Sequence, residues 1–250
     1  MECTDNAAVA TFFSGDTLVA GGSITLSEEA AHHMHVARIA IGERVALRDG
    51  AGTTAQGTLV KISRSSALVD ITETQEVPRP APIHLLAPIG DRERMLWLAE
   101  KATELGITSW RPVMWRRSKS VSPRGDGPTF QGKVRGRMKS ALIQSGGAWL
   151  PDVFPEASVD RAVTAAPRGT RLLLAADGNP IAQVKMVPPI VIALGPEGGI
   201  EPAERDSLVA ADFVPVRVAG STLRFETAGI AAIAIAVAAL SISGNSDGKA

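Results

Sequence analysis

The chain has 250 residues and no net charge, because 26 Lys and Arg side chains balance 26 Asp and Glu side chains. That balance argues against a polycation that coats nucleic acid and against an acidic disordered chain, while an apolar content of 45% is enough for a core. The single cysteine, Cys3, excludes an internal disulfide and a cysteine-based zinc site.

Targeting signals are absent from the pattern. The first residues lack the basic and apolar regions of a secretory signal. The longest apolar run covers residues 229–240 and is shorter than the roughly 20 residues that a bilayer span needs. We therefore expect a soluble cytoplasmic protein in which this run forms a buried helix.

The charge is distributed unevenly along the chain. Its net value is −4 over residues 1–80, +7 over residues 81–150 and −3 over residues 151–250. Eight basic residues and one acidic residue lie between Arg116 and Lys139. This basic strip is either a solvated helix face with a loop or a surface that binds phosphates, and charge alone leaves both open.

Residues 1–75 are predicted to form a small β domain. Short runs typical of strands occur at residues 17–19, 23–26, 44–47, 57–62 and 67–71, and Asp49-Gly50 is a hairpin turn signal. One helix fits, with Ser27 as its N-cap. The pattern predicts a barrel or sandwich, followed by a stiff proline-rich linker at residues 76–82.

Residues 83–250 are predicted to form an α/β domain with a mainly parallel sheet, because strands and helices alternate. The predicted strands cover residues 83–86, 109–114, 171–176, 190–194 and 213–218. A helix that ends at Gly106 follows the first strand, and residues 118–128 read as a loop. A helix with Phe130, Val134, Met138 and Leu142 on one face follows, and the last helix covers about 228–242.

Two loops after predicted strands could carry chemistry. Gly195-Pro196-Glu197-Gly198-Gly199 is either a tight turn or a loop whose backbone approaches a ligand, and it is neither a Walker loop nor a dinucleotide fingerprint. In the second loop, Arg224 and Glu226 directly precede the most apolar helix, where charges are costly unless a site pairs or solvates them. Glu226 or Thr227 could also cap that helix.

The histidines of the N-terminal domain are a weak metal signal. His32, His33 and His35 would point in different directions on a helix, and His32 with His35 would still need a third ligand. We therefore predict no metal site, and interpret these residues as ordinary helix residues or RNA contacts.

The two loops together resemble the signature pair of the RsmE family. The segments are Leu194-Gly195-Pro196-Glu197-Gly198-Gly199 and Leu223-Arg224-Phe225-Glu226-Thr227-Ala228. Weaker similarities are the helix end at 101–106, Gln144-Ser145-Gly146 with Pro151, and His32, Val36, Arg38, Gly42 and Asp49-Gly50 of the N-terminal domain. The chain departs from the family pattern at Phe225, Gly147, Ile143 and Ala37, and Gly147 removes an expected RNA or substrate contact.

The resemblance implies a fold and an activity. Members of that family methylate N3 of uridine 1498 in 16S ribosomal RNA with S-adenosylmethionine. They have a PUA-like N-terminal β-barrel and a C-terminal SPOUT methyltransferase domain with a trefoil knot, and they form homodimers. The expected partners are therefore the 16S rRNA of the small ribosomal subunit and a second copy of the chain, without a membrane or a metal.

The resemblance implies the cofactor site. The two charges at the mouth of that apolar pocket and the basic strip provide our hypotheses for the catalytic and RNA-binding residues. Arg224 and Glu226 would be catalytic: Arg224 would stabilise the uridine anion or orient its phosphate, and Glu226 would hold that arginine or act as the base. The S-adenosylmethionine site would comprise Leu174, Ala175, Leu194, Gly195, Pro196, Glu197, Gly198, Gly199, Ala219, Gly220, Leu223, Thr227 and Ala228. The RNA contacts would be Arg38, Arg117, Lys133, Arg135, Arg137 and Gln144.

Three other functions compete with this interpretation. A SPOUT enzyme could act on transfer RNA or 23S rRNA instead, and an RNA-binding assembly factor could carry a degenerate cofactor pocket. The intact signature loops argue against the assembly factor. A nucleotide-dependent metabolic enzyme lacks a phosphate loop here, and it would leave the basic strip unexplained.

Overall fold

The computed structural model describes residues 10–120 and 125–246. Cys3, the other N-terminal residues that were examined for a secretory signal, and part of the predicted loop at 118–128 lie outside these ranges. The contacts divide the chain into two compact units. One contains the residues up to Arg79 together with Leu142–Leu150, and the other contains Pro80–Ala141 and the residues from Pro151 onward.

The first unit is a small β domain with one helix. Its strands form a five-stranded sheet in the order β1-β3-β4-β5-β2, in which only the β1–β3 pairing is parallel. The elements are β1 (Thr11–Phe13), β2 (Ser23–Leu26), α1 (Glu28–Val36), β3 (Arg44–Arg48), β4 (Thr53–Ile62) and β5 (Ala67–Glu76).

Local sequence signals explain how this unit folds. The Ser27 hydroxyl accepts from the Ala30 N–H at 3.4 Å and caps α1, as predicted. The Asp49 carboxylate accepts from the N–H groups of Ala51 and Thr53, at 2.8 and 2.9 Å, and closes the turn between β3 and β4. One core of apolar side chains from the strands and from α1 lies beneath this sheet.

Leu142–Leu150 is grouped with the first unit, whereas the predicted second domain of residues 83–250 included it. The Leu150 N–H donates to the Gly50 carbonyl at 2.8 Å, and the Gly52 N–H donates to the Ala148 carbonyl at 3.0 Å. A Cβ on Gly52 would overlap the Trp149 ring, so the indole covers that glycine directly. Sequence periodicity carries no record of such a contact between distant segments.

The second unit is an α/β domain. Its strands are β6 (Ile83–Pro88), β7 (Ser109–Met114), β8 (Asp152–Val153), β9 (Ala157–Ser158), β10 (Thr170–Pro180), β11 (Ile190–Ala193) and β12 (Val214–Arg217). Its helices are α2 (Arg92–Glu104), α3 (Gly127–Ser145, whose last turn belongs to the first unit), α4 (Val159–Ala165), α5 (Pro202–Ala210) and α6 (Phe225–Ser246).

The sheet of the second unit is parallel throughout, in the order β12-β10-β11-β6-β7-β8, with β9 also pairing with β7. All four residues of β11 are fully buried, as expected for a parallel strand with both faces covered. The predicted α/β architecture with a small N-terminal β domain is confirmed. The trefoil knot stays a prediction.

Helix α6 packs closely on the sheet and on α2. A Cβ on Gly229 would lie 2.9 Å from Leu194 Cδ1 and 3.0 Å from Leu98 Cδ1, so the glycine permits this approach. The helix begins at Phe225, three residues before the predicted start. Glu226 and Thr227 therefore lie in its first turn, and the prediction that either one is the N-cap is wrong.

One predicted strand of the first unit is also wrong. Residues 17–19 form no strand, and β1 lies at Thr11–Phe13 instead. The segment at 17–19 is bounded by turns at Gly15 and Gly21, whose φ values of +76° and +75° break an extended ladder on both sides. Leu18 is buried nevertheless, which accounts for the apolar signal.

Truncation of Leu85 should test the core of the second unit. Leu85 is fully buried in β6, so Leu85→Ala should lower the free energy of unfolding by about 2–5 kcal/mol. Val214→Ala on the edge strand β12 is the control, since Val214 is 41% exposed and its loss should cost less than about 1 kcal/mol. Urea unfolding followed by circular dichroism measures both, and equal losses would contradict the assignment of the core.

Candidate active site

Three loops form a cleft at the carboxyl edge of the parallel sheet, where α/β folds bind ligands. The loops follow or interrupt β10, β11 and β12, and the cleft has a volume of about 640 Å³. That volume is within the range of small-molecule sites. Of the predicted cofactor residues, the cleft is lined by Leu174, Ala175, Leu194, Gly195, Pro196, Glu197, Gly199, Ala219, Leu223 and Ala228.

Three predicted cofactor residues lie off the lining of the cleft. Gly198 faces Arg117, since a Cβ there would lie 3.0 Å from the Arg117 Cβ. Gly220 is exposed, with no atom within 4 Å of the Cβ position. Thr227 lines a separate cavity beside the cleft. All three belong to the predicted cofactor loops, but none of them lines the cleft.

The glycines of the loop at 195–199, which follows β11, are required by geometry. Gly199 has a φ of +78°, a conformation that side chains with a Cβ disfavour. A Cβ on Gly195 would lie 2.7 Å from Ile200 Cγ1, so any larger residue would displace the loop wall. The loop is thus a tight turn that also forms one wall of the cleft, so the two interpretations of the sequence are compatible.

Arg117 anchors this loop instead of lying free for RNA. Its Nε donates to Glu201 Oε1 at 2.6 Å, and its Nη1 donates to the Gly198 carbonyl at 2.9 Å. Glu201 is the residue before α5, and its own N–H donates to Glu204 at 3.1 Å. Arg117, a predicted RNA contact, is therefore built into the framework of the cleft, although its side chain stays about half exposed.

Arg94 is a site residue that the sequence analysis missed. It lies in the first turn of α2, where its N–H donates to the N-cap Asp91 at 3.1 Å. Its guanidinium lies 3.7 Å from Glu197 Oε1 and 3.9 Å from Glu226 Oε1. The available signal was its position: Ile89 to Arg94 follow β6, so they come to the same sheet edge as the signature loops.

The two predicted catalytic residues lie on different sides of the start of α6. Arg224 is exposed and lines the cleft, together with Phe225. Glu226 is buried, and it lines the cavity beside the cleft. The cation next to Glu226 is Arg94, so the expected Arg224–Glu226 partnership is replaced by an Arg94–Glu226 pair.

The Glu226 carboxylate is only partly satisfied. Its Oε2 is buried and has no hydrogen-bond partner among residues 10–120 and 125–246. Buried acceptors without a partner are rare and costly, so they call for an explanation such as a ligand that completes them. This atom is therefore a buried acceptor at the site that a water or a ligand could pair with.

Asp177 and Arg205 are further members of the cleft that sequence reasoning missed. Arg205 Nη1 donates to both Asp177 carboxylate oxygens, at 3.0 and 2.9 Å. This hydrogen bond from Arg205 holds the pKa of Asp177 below its ordinary value. Asp177 therefore presents a carboxylate at one end of the cleft near neutral pH.

The remaining predicted RNA contacts are exposed side chains. Lys133, Arg135 and Arg137 lie on α3 and are exposed. Arg135 donates to the Val153 carbonyl at 3.0 Å, and Arg137 donates to Glu100 at 3.2 Å. Arg38 (φ +58°) and Gln144 are exposed residues of the first unit.

The described residues offer neither a metal site nor a membrane span. No group of three His, Cys, Asp or Glu side chains suited to a metal occurs within the described ranges 10–120 and 125–246. Within the same ranges, no helix is both long enough and apolar enough to span a membrane. Of the histidines, His35 is engaged with the Ser63 carbonyl at 3.2 Å.

Comparison with known proteins defines the class. The family described as RNA methyltransferase domain matches residues 77–237, and the RNA methyltransferase PUA domain matches residues 26–72. The chain therefore belongs to the RNA methyltransferase family that the first of these describes. The resemblance to the RsmE family is confirmed.

Two relatives from different organisms share the same name. The chain is 29% identical to ribosomal RNA small subunit methyltransferase E of Mycobacterium bovis over 239 residues, which cover 90% of each chain. It is 27% identical to the protein of that name from Synechocystis over 223 residues, covering 85% of this chain and 72% of the relative.

Two solved structures agree with the fold. The ribosomal RNA small subunit methyltransferase E from Neisseria gonorrhoeae, bound to S-adenosyl methionine, has a TM-score of 0.83 at 27% identity. That match covers 91% of this chain and 96% of the other. A methyltransferase from Legionella pneumophila shares the fold with a TM-score of 0.85 at 24% identity, covering 93% of this chain and 98% of the other.

Substitution of Gly195 should disturb the cleft. Gly195→Ala places a methyl group against Ile200, which is packed on the core, so the loop must shift. We expect RNA methyl transfer to fall by about 10-fold or more, because small misplacements of a bound reactant are costly. Gly132→Ala on α3 is the control, since the space around its Cβ is open and its activity should stay unchanged. Equal activities of both variants would contradict the role of the loop.

Proposed function

We propose that this protein uses S-adenosylmethionine to methylate N3 of a uridine in the 16S rRNA of the small ribosomal subunit. By resemblance the target is uridine 1498, and the protein acts as a homodimer in the cytoplasm, where small subunits are assembled. The observation that carries the proposal is the cleft of the three loops, with a partly satisfied buried carboxylate, Glu226, directly beside it.

The residues of the cleft fit this cofactor. Its wall is mostly apolar and built from the signature loops, which suits an adenosine moiety. Two carboxylates, Asp177 and Glu197, line the same cleft and suit a ligand that carries hydroxyl groups and positive charge. When bound, S-adenosylmethionine supplies a methyl group activated by its sulfonium charge, so that its C–S bond breaks as the N3–C bond forms.

The chain must also manage the N3 proton, because uridine N3 is protonated near neutral pH. We assign proton acceptance to the Glu226 Oε2 atom, since it is a buried acceptor beside the cleft that has no hydrogen-bond partner in the described part of the chain. Arg94 lies beside that carboxylate and stabilises negative charge that develops on the uracil ring. Arg224, exposed at the mouth of the cleft, holds the phosphate or the charge of the target nucleotide.

The catalytic assignment is tested by substitution. Arg224→Ala and Glu226→Gln should each lower the rate of methyl transfer to small-subunit rRNA by about 100-fold, which is typical for loss of a charge-stabilising or acid–base group. Calorimetry should show that S-adenosylmethionine affinity changes little. Asp206→Asn, an exposed acid on α5, is the matched control. Primer extension across the rRNA reads the product, since N3 methylation blocks pairing, and an unchanged rate for either variant would overturn its role.

The salt dependence of rRNA binding tests whether the part of the basic strip on α3 contacts phosphates. Replacing Arg135 and Arg137 together with Gln should weaken rRNA binding and reduce the slope of log affinity against log salt by about 1–2. The affinity for S-adenosylmethionine should stay the same. Arg168→Gln, an exposed base elsewhere in the second unit, is the control. A double variant that keeps the wild-type slope would show that the strip makes no phosphate contact.

A further inference from the structure

A second cavity of about 450 Å³ lies beside the cofactor cleft. It is formed by α2, the first turn of α6 and Arg137 of α3, all within the second unit. Arg94 lines both cavities, and Phe225 of the cleft directly precedes Glu226 of the second cavity. A group held in this cavity would therefore lie next to a ligand in the cleft. The lining residues are Glu93, Arg94, Leu96, Trp97, Glu100, Arg137, Glu226 and Thr227.

Trp97 gives this cavity an aromatic wall. Its side chain is 45% exposed, whereas Trp110 and Trp115 of the same unit are fully buried. An indole at an accessible cavity is the kind of surface on which an unpaired base stacks. Trp97 lies one turn of α2 after Arg94, so both side chains come from the same end of that helix.

The polar groups of the cavity are complementary to one edge of uracil. That edge presents an acceptor at O2, a donor at N3–H and an acceptor at O4. The Glu226 Oε2 atom is a buried acceptor without a donor among the residues that the structure describes. Arg94 lies 3.9 Å from Glu226 and 3.7 Å from Glu197, both longer than a hydrogen bond, so its guanidinium can donate to a carbonyl oxygen. Cytosine has no hydrogen at N3. Its N3 lone pair would meet the Glu226 carboxylate, another acceptor, and the two would repel each other.

An ion pair between Arg137 and Glu100 lies on the lining of the cavity. Arg137 is about half exposed and donates to Glu100 at 3.2 Å, while Lys101 pairs with Glu100 at 2.8 Å. Hydrogen bonding from Lys101 keeps the pKa of Glu100 below its ordinary value, so Glu100 stays a carboxylate that positions Arg137. A nucleotide entering past Arg137 would meet a donor for its phosphate.

We propose that this cavity receives the target uracil, turned out of its RNA. Trp97 stacks on the ring, Glu226 accepts the N3–H, Arg94 donates to a ring carbonyl, and Arg137 meets the adjacent phosphate. The inference rests on the proposed function and goes beyond it, because it assigns base recognition to a cavity beside the cofactor cleft, formed mainly by α2. It also predicts discrimination against cytosine at the same position.

The direct test is photocrosslinking. Small-subunit rRNA with 5-iodouridine at the target position is irradiated in complex with the full chain, and the attached peptide is identified by mass spectrometry. Attachment at Trp97 is expected, since the halogenated base couples to a stacked aromatic ring. Attachment outside the cavity, by a protein that methylates the same rRNA, would overturn this inference alone. A wild-type protein that leaves 16S rRNA unmethylated would overturn the proposed function together with it.

Substitution of Trp97 provides a second test of this inference. Trp97→Ala should lower methyl transfer by roughly 10- to 100-fold, the range expected for loss of one base–aromatic stack, while Trp97→Phe should retain most of the activity. S-adenosylmethionine affinity, measured by calorimetry, should not change in either variant. Phe154→Ala is the control, because Phe154 is a 38%-exposed aromatic outside the cavity. If Trp97→Ala instead converts a dimer to a monomer in light scattering, this face is a contact between copies, and the inference is overturned.

Discussion

The parallel pairing of β10, β11, β12 and β6 is the constraint on which the site depends. Because every pairing in this sheet is parallel, the carboxyl ends of these strands meet at one edge. The loop after each strand is therefore delivered to one place, although the loops are far apart in the sequence. The same edge receives the start of α2 and the start of α6, which bring Arg94 and Glu226 within 3.9 Å of each other.

Much of the fold follows from patterns that are local in the sequence. Three predictions depend only on residues nearby in the sequence: the limits of β7, the Ser27 cap and the four buried positions of α3. The structure agrees with each of them. The grouping of Leu142–Leu150 with the first unit depends instead on Trp149 meeting Gly52, almost one hundred residues away. Arg94 was missed for the same reason, since its two carboxylate partners lie more than one hundred residues further along the chain.

Ion pairs between distant segments balance part of the chain's uneven charge. The excess of bases between Arg116 and Lys139 is offset locally by side chains from other segments: Arg117 pairs with Glu201, and Arg137 pairs with Glu100. Such pairs hold loops and helices in position. Under the proposed function, the basic strip would therefore offer only a limited phosphate surface, which suits a protein that binds one RNA element and then releases it.

The start of α6 explains how a carboxylate can lie buried beside the most apolar helix of the chain. Glu226 occupies the first turn, where the partial positive charge of the helix N-terminus favours an anion, and Arg94 adds a cation at 3.9 Å. Neither contact gives Oε2 a hydrogen bond, so the helix end and the arginine offset burial without completing the group. A carboxylate held in this way is prepared to accept one proton donor from a ligand. Arg224, one residue before the helix, remains outside that environment and is exposed, so two adjacent charges can serve different ends of the same nucleotide.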